Sequence, residues 1–242
     1  METDRSQQSS TDAALTFRWR AYALSTILAA ALLVPGTLLN PAVGGIGAGA
    51  ANIAANAAAD PTSNQLHIAI YVVETFLLPL GILGVAALAI QRSPWLGTIG
   101  AGLGLFGWLP WSALAAQDDL TFRIAQMGGC PELVQLWNRF TTDWAMGVLT
   151  LVYVICHLLA FVVLAVALLR AGAIPGWAAW ALALTTPVTI VAFPTHEQRL
   201  LYLVAALWIV GSVPVAVSLW RIAGSRSEAG ERPDTRADLV EG

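Results

Sequence analysis

Long apolar segments alternate with short polar ones along most of the chain. Each apolar segment is about 20 to 26 residues long, the length a helix needs to cross the core of a bilayer with some tilt. Backbone amides cannot stay unpaired in lipid, and the ten-residue alternation of a barrel strand is absent, so helices are predicted. The fold class is therefore an all-α integral membrane bundle of six helices. The predicted spans are residues 21–40, 66–90, 95–116, 144–169, 174–193 and 200–220.

The composition agrees with this interpretation. Of the 242 residues, 57% are hydrophobic and 11% are charged, whereas a soluble domain is about 25% charged. The 12 basic residues are outnumbered by 15 acidic ones, so the chain lacks the basic surface of a nucleic-acid binder. A soluble enzyme, a disordered chain and a nucleic-acid-binding protein are excluded.

The distribution of arginine predicts the orientation. Every basic residue is Arg, and nine of the 12 precede span one, follow span six, or lie in the links between spans two and three and between spans four and five. Positive residues stay on the cytoplasmic side, so both termini are predicted to be cytoplasmic in a multi-pass protein of the cell membrane. The competing hypothesis is a signal peptide cleaved near residues 48–50, ten residues beyond an apolar stretch longer than usual.

The connections differ on the two sides. The cytoplasmic links 91–94 and 170–173 are very short, whereas loops 41–65 and 117–143 on the outer side are long. Within the second loop, residues 132–140 have a helical apolar face that predicts a lid on the bundle or a gate over a cavity. The polar ends of the chain, residues 1–19 and 222–242, are predicted to be disordered tails.

Glu74 is the main candidate for chemistry. It lies eight residues into the second span, about 12 Å below the outer surface at 1.5 Å per residue, with no Arg at its depth. A carboxylate there costs several kcal/mol unless it is neutralised or paired, so an intramembrane acid indicates function. The alternative is a protonated Glu74 that hydrogen-bonds a neighbouring helix and only holds the bundle together.

Two polar stripes suggest where such chemistry takes place. His67, Tyr71 and Glu74 share one face of the second span, and Asp143, Thr150 and His157 share one face of the fourth. His157 fits a proton relay or an interhelical hydrogen bond equally well.

The other polar and aromatic residues lie in the same outer half, which predicts a cavity that opens outward or into the outer leaflet and argues against a continuous aqueous pore. We assign Glu74, His157 and Asp143 as candidate catalytic residues. The candidate substrate-binding residues are His67, Tyr71, Trp108, Trp111, Asp118, Asp119, Thr150, Tyr153 and Tyr202. His196, in the link before the last span, belongs to the same outer group.

Common cofactor and metal sites are not indicated. His157 has no second His at its depth to complete a haem site, and no His, Cys, Asp or Glu cluster has the spacing of a metal site. The adjacent acids Asp118 and Asp119 could bind a cation or a magnesium diphosphate, but such pairs are usually solvated. No cofactor and no resident metal are predicted.

Three functions remain open. The first is a membrane-embedded enzyme in which a neutral Glu74 starts acid–base chemistry on an isoprenoid or lipid, such as cyclisation or isomerisation, with aromatic rings stabilising positive charge. The second is a proton-coupled transporter or exporter with Glu74 and His157 as its relay. The third is a non-catalytic assembly, lipid-binding or immunity protein. The expected partners are membrane lipids, a hydrophobic small molecule and, where the chain oligomerises, a second copy.

Overall fold

A computed structural model describes residues 2–41, 49–195 and 197–231, with side chains from residue 11 to residue 225 in those ranges. The described residues form α-helices joined by short connections, with no strand among them. The helices are α1 (Glu2–Leu39), α2 (Gly49–Ala58), α3 (Pro61–Ile90), α4 (Pro94–Trp108), α5 (Trp111–Gln126), α6 (Pro131–Thr142), α7 (Trp144–Ala171), α8 (Gly176–Thr195) and α9 (Gln198–Glu231).

Six helical segments are long and apolar enough to cross a membrane, which confirms the predicted number of spans. They are Thr11–Leu39, Pro61–Ile90, Pro94–Gln126, Trp144–Ala171, Gly176–Thr195 and Gln198–Ser225. Large apolar side chains face outward along them, among them Phe76, Phe106 and Leu151, as lipid-facing surfaces require. Six such helices are typical of a multi-pass membrane protein.

The spans form a closed ring in chain order. α1 packs on α3, α3 on α4, α4 on α7, α7 on α8, α8 on α9, and α9 returns to α1. At one end, Arg92 Nη1 donates a hydrogen bond of 3.0 Å to the carbonyl of Ala171, which joins the two short links. At the other end, Gln198 Nε2 donates to the carbonyl of Thr37 at 2.9 Å. These two ends are called the Arg92 end and the cavity end.

The third span differs from the prediction. Residues 117–126 were assigned to a loop because of their charges, but they belong to helix α5, which continues the direction of α4 after a break at Leu109 and Pro110. Proline lacks the backbone N–H that would continue the ladder, so the break falls there. The predicted helix at 132–140 is present as α6, one residue longer at its start and two at its end.

The ends of the chain also differ from the prediction. Helix α1 begins at Glu2 and α9 continues to Glu231, so most of the first expected tail and half of the second are helical. Extending an existing helix adds one hydrogen bond per residue without a new nucleus, and residues 2–20 contain neither Gly nor Pro to stop it. Residues 232–242, part of the loop after residue 41 and His196 lie outside the described residues.

Glycines on α4 bring the ring together. A Cβ added at Gly100 would overlap Leu164, one at Gly104 would overlap Ile82, and one at Gly107 would overlap the backbone of His157. The close approach of α4 to α3 and α7 therefore depends on small residues. Gly102 meets no atom within 4 Å and has no such role.

Some of the exposed tryptophans mark the borders of the bundle. Trp95 and Trp144 are 81% and 79% exposed at helix starts, where an amphipathic ring fits the headgroup region. Trp220 is also exposed, near the Arg92 end. Trp19 is buried in the core, because α3 and α9 both pack against its helix.

Candidate functional site

A cavity of about 480 Å³ occupies the cavity end of the ring. Every helix except α4 contributes more than one side chain to its wall, and α4 contributes Trp108. At the Arg92 end the same ring is filled by tightly packed side chains such as Ala89, Leu168 and Leu219. The cavity therefore ends on a packed core, as the concentration of polar residues in the outer half predicts.

The cavity is covered by the two short helices. Trp137 on α6 donates its indole N–H to Thr121 Oγ1 on α5 at 2.8 Å. Ile53 of α2 packs with Trp137, Ile124 and Ala125 in a small separate core. The apolar face of α6 thus rests on α2 and α5. These contacts are those expected of a lid on the bundle, one of the two interpretations of residues 132–140.

A polar chain leads from this cover to an acid–base pair. Asn56 donates to the carbonyl of Asn52 at 2.8 Å, and its amide oxygen accepts from Asn64 Nδ2 at 2.5 Å. This fixes the Asn64 amide with its oxygen toward His67 Nδ1, at 3.5 Å. His67 Nε2 then lies 3.8 Å from a carboxylate oxygen of Asp118.

The hydrogen-bond inventory shows what this pair can do. The Asn64 oxygen can only accept, so Nδ1 of His67 carries a hydrogen. Nε2 and the Asp118 carboxylate then face each other as two acceptors unless one of them holds a further proton. The pair is suited to holding one exchangeable proton at the cavity wall.

Aromatic rings form the deeper wall. Trp108 lies at the centre, with ring centroids 5.8 Å from Trp111, 5.7 Å from Tyr153 and 5.3 Å from Trp208. Tyr71 joins the cluster through Trp111, with centroids 4.8 Å apart. The faces of such rings carry partial negative charge and attract cations.

His157 is held in one tautomer. Its Nδ1 lies 2.6 Å from the carbonyl oxygen of Tyr153, one turn earlier on α7, and a carbonyl can only accept. Nδ1 therefore carries the hydrogen, and Nε2 of the neutral ring keeps a free lone pair. The ring stacks on Tyr153 at 4.3 Å and lines the cavity, so the arrangement presents a base.

Threonine hydroxyls add acceptors to the lining. Each of the five threonines concerned donates its proton to a carbonyl of its own helix, which leaves the oxygen lone pairs as acceptors, although Thr121 uses one of them for the indole N–H of Trp137. They are Thr121, Thr141, Thr150, Thr185 and Thr189. The hydroxyl of Tyr71 accepts from Asn40 Nδ2 at 3.4 Å.

Glu74 lies beneath the cavity rather than in its wall. The side chain is fully buried, and neither carboxyl oxygen has a hydrogen-bond partner. It lies close enough to Tyr71 and Tyr153 to interact electrostatically with both. One turn further along α3, Leu78 lines a second, one-water-sized void.

Three other predicted site residues lie away from the cavity lining. Asp143 caps α7 by accepting from Ala145 N at 3.1 Å. Asp119 pairs with Arg123 on the exposed face of α5 at 3.3 Å, and Tyr202 is 40% exposed. The structure instead brings together His67, Tyr71, Trp108, Trp111, Asp118, Thr150, Tyr153 and His157.

Sequence reasoning missed several lining residues, although the stripes contain a signal for some. Phe161 lies four residues after His157, so it extends a stripe already recognised. Asn64, three residues before His67, extends the other stripe and holds the His67 ring without lining the cavity itself. Trp208 and Thr189 carry no such signal, because only the closed ring brings α8 and α9 to the same wall.

The described residues hold no arrangement typical of a metal site. Among the described residues, no group of three His, Cys, Asp or Glu side chains is placed to hold a metal ion. Asp118 and Asp119 point to different partners, which argues against a shared magnesium diphosphate.

No protein-family model matches the chain, and neither curated proteins nor solved structures match it.

Proposed function

We propose that the protein is a membrane-embedded enzyme that moves protons on an unsaturated hydrophobic substrate, such as an isoprenoid, and so isomerises or cyclises it. The observation that carries the proposal is the convergence of the His67–Asp118 pair, the His157 base and an aromatic wall on one cavity of about 480 Å³. Cavities with apolar walls and a few converging polar groups are the usual form of a small-molecule site.

The reaction divides between two walls. The His67–Asp118 pair donates a proton to one carbon of a substrate double bond, and the neighbouring carbon becomes positively charged. Loss of a proton from an adjacent carbon to Nε2 of His157 forms the new double bond. One proton enters and one leaves, so the step balances without an oxidant or reductant.

The aromatic wall supports the charged stage. Trp108, Trp111 and Tyr153 line the same cavity as the acid and the base, and a ring face stabilises a cation by about 2 kcal/mol when water is absent. Glu74 does not line the cavity and its carboxyl oxygens have no hydrogen-bond partner, so the proposed steps do not use it.

The packed Arg92 end favours an enzyme over a transporter. A transporter needs a path to both sides, whereas side chains such as Leu168 and Leu219 fill the ring below the cavity. The cavity serves a substrate that arrives and leaves on the same side or from the membrane.

The proposal is tested by deuterium uptake. The purified protein in lipid nanodiscs is incubated in D₂O with geranylgeraniol or squalene, and mass spectrometry follows deuterium in the isoprenoid. Wild-type protein is expected to introduce deuterium at carbon, and Asp118→Asn or His157→Gln to slow it by about 10²–10⁴-fold. Asp119→Asn is the control, because its carboxylate faces Arg123. No uptake by folded wild-type protein overturns the proposal for isoprenoids.

A further inference from the structure

We infer that the cavity binds single-chain amphiphiles with an ammonium head and that these reach it from the membrane through a gap between α7 and α8. The inference rests on the proposed use of the cavity as a substrate site, but it requires no reaction. The inference specifies the charge of the ligand's polar head and the route by which the ligand enters the cavity.

The lining determines the preferred charge. Among the side chains that line the cavity in the described part of the chain, Asp118 is the one Asp, Glu, Lys or Arg. An anionic head, such as a phosphate or a sulfate, would thus meet a like charge at Asp118 and no Lys or Arg among these lining residues. When the His67–Asp118 pair holds no further proton, a quaternary ammonium would meet the Asp118 carboxylate and also the faces of Trp108 and Trp111 in the same cavity.

The hydroxyl groups support the same charge. Thr150, Thr185 and Thr189 each use their proton within their own helix, at 2.8, 2.6 and 2.8 Å, so they turn oxygen lone pairs toward a ligand. A ligand that brings positive charge fits such a wall better than one that brings more acceptors.

The gap between α7 and α8 supplies the route. Ile190 and Phe193 on α8 line the cavity and yet are 54% and 41% exposed, and Val154 on α7 lines it at 38% exposure. Their side chains therefore contact both the cavity and the outside of the ring. Pro187 lies inside α8 just before this region and removes one backbone N–H donor there. On the deeper side, Thr186 Oγ1 joins α8 to α7 by donating to the Leu158 carbonyl at 2.9 Å.

The position of this gap explains why the ligand is an amphiphile. The outward surface here is made of Ile190, Val191 and Val154, which suits lipid rather than water. A ligand with its head at Asp118 can leave its alkyl chain in the gap, in contact with the bilayer. The cavity then needs to hold only the head and the first part of the chain.

Charge preference is measured with three amphiphiles of equal chain length. Decyltrimethylammonium, decyl phosphate and decanol are titrated calorimetrically into the full-length protein in phosphatidylcholine nanodiscs, with empty nanodiscs subtracted. We expect saturable binding of the ammonium compound about tenfold tighter than of the other two, which corresponds to about 1.4 kcal/mol. Equal affinities, a preference for the phosphate, or no saturable binding overturn the inference, and this comparison uses wild-type protein alone.

Two matched pairs of variants locate the site. Asp118→Asn should weaken ammonium binding by about tenfold, whereas Asp119→Asn, one residue away and paired with Arg123, should leave it unchanged. Ile190→Trp should slow association severalfold, whereas Val191→Trp, which is equally exposed but does not line the cavity, should not. Equal effects of the two aspartate variants would assign the ammonium binding to the bilayer. Equal effects of the two tryptophan variants would assign the route to another opening.

The two proposals fail separately. Deuterium uptake without ammonium preference would leave an enzyme whose substrate has a different polar end. Ammonium binding without uptake of deuterium from D₂O would leave a lipid-binding protein and remove the reaction.

Discussion

Replacing Gly107 by alanine tests how the base is positioned. A Cβ at this position would lie 2.7 Å from the Cα of His157 and even closer to its backbone nitrogen. Ordinary contact begins at 3.4 Å, so α4 and α7 must separate by about 0.7 Å or more. Overpacking of this kind costs about 1–3 kcal/mol, while alanine gains up to about 1 kcal/mol over glycine in helix propensity.

Gly102→Ala is the matched control, because it gives the same propensity gain in the same helix and meets no atom within 4 Å. The difference between the two variants therefore isolates the contact with His157. At about 2–4 °C per kcal/mol for a chain of this size, Gly107→Ala should melt about 2–12 °C below Gly102→Ala. Thermal unfolding in nanodiscs, followed by circular dichroism, measures this difference. Equal melting temperatures would refute the reasoning and the α4–α7 packing on which it rests.

Three further predictions concern the ends of the bundle. Hydrogen bonds from the backbone and side chain of Ser63 lower the pKa of Asp60, which caps α3. The stability that this cap contributes should be complete above about pH 4 and be lost as the pH falls through the lower pKa of Asp60 in the folded protein. Asp60→Asn should flatten that part of a curve of stability against pH. Cys130 is exposed at the start of α6, so in whole cells it should react with a membrane-impermeant maleimide if the termini are cytoplasmic, and Cys130→Ser should abolish the label; labelling only after lysis would reverse the orientation. Trp137→Phe removes the hydrogen bond that joins α6 to Thr121 on α5, and it should lower the free energy of unfolding by about 1 kcal/mol. An unchanged midpoint of chemical unfolding would mean that this bond does not hold α6 against α5.

The spans were predictable because length and apolar composition alone define them, and lipid leaves the backbone few alternatives. The third span shows the limit of that argument. Gln117, Asp118 and Asp119 look like loop residues by polarity, but the helix carries them because Asp118 faces a cavity and Asp119 faces Arg123. Polarity reports that a side chain avoids lipid, and not whether its backbone is helical.

The site was predictable to the extent that it follows single helices. His67 and Tyr71 on α3, and Thr150 and His157 on α7, come from helical spacing and meet in one cavity. Glu74 and Asp143 share those stripes but lie beyond the two ends of the cavity, since spacing gives the face of a residue and not its depth relative to a void. Trp208 depends on how the ring closes, which no local pattern encodes.

The pairing of the first helix with the last has a consequence for biogenesis. Arg20 on α1 lies over the ring of Trp220 on α9, 5.8 Å from its centroid, and the two helices pack along their length. At about 5–20 residues per second, the ribosome needs on the order of ten seconds or more after finishing α1 to supply this partner. During that interval the side of α1 that packs on α9 is exposed to lipid, whereas Thr26, which bonds the Gly81 carbonyl of α3, already has its partner. A protein that lacks the sixth span should thus still insert its first five spans, but it should be more susceptible to proteolysis.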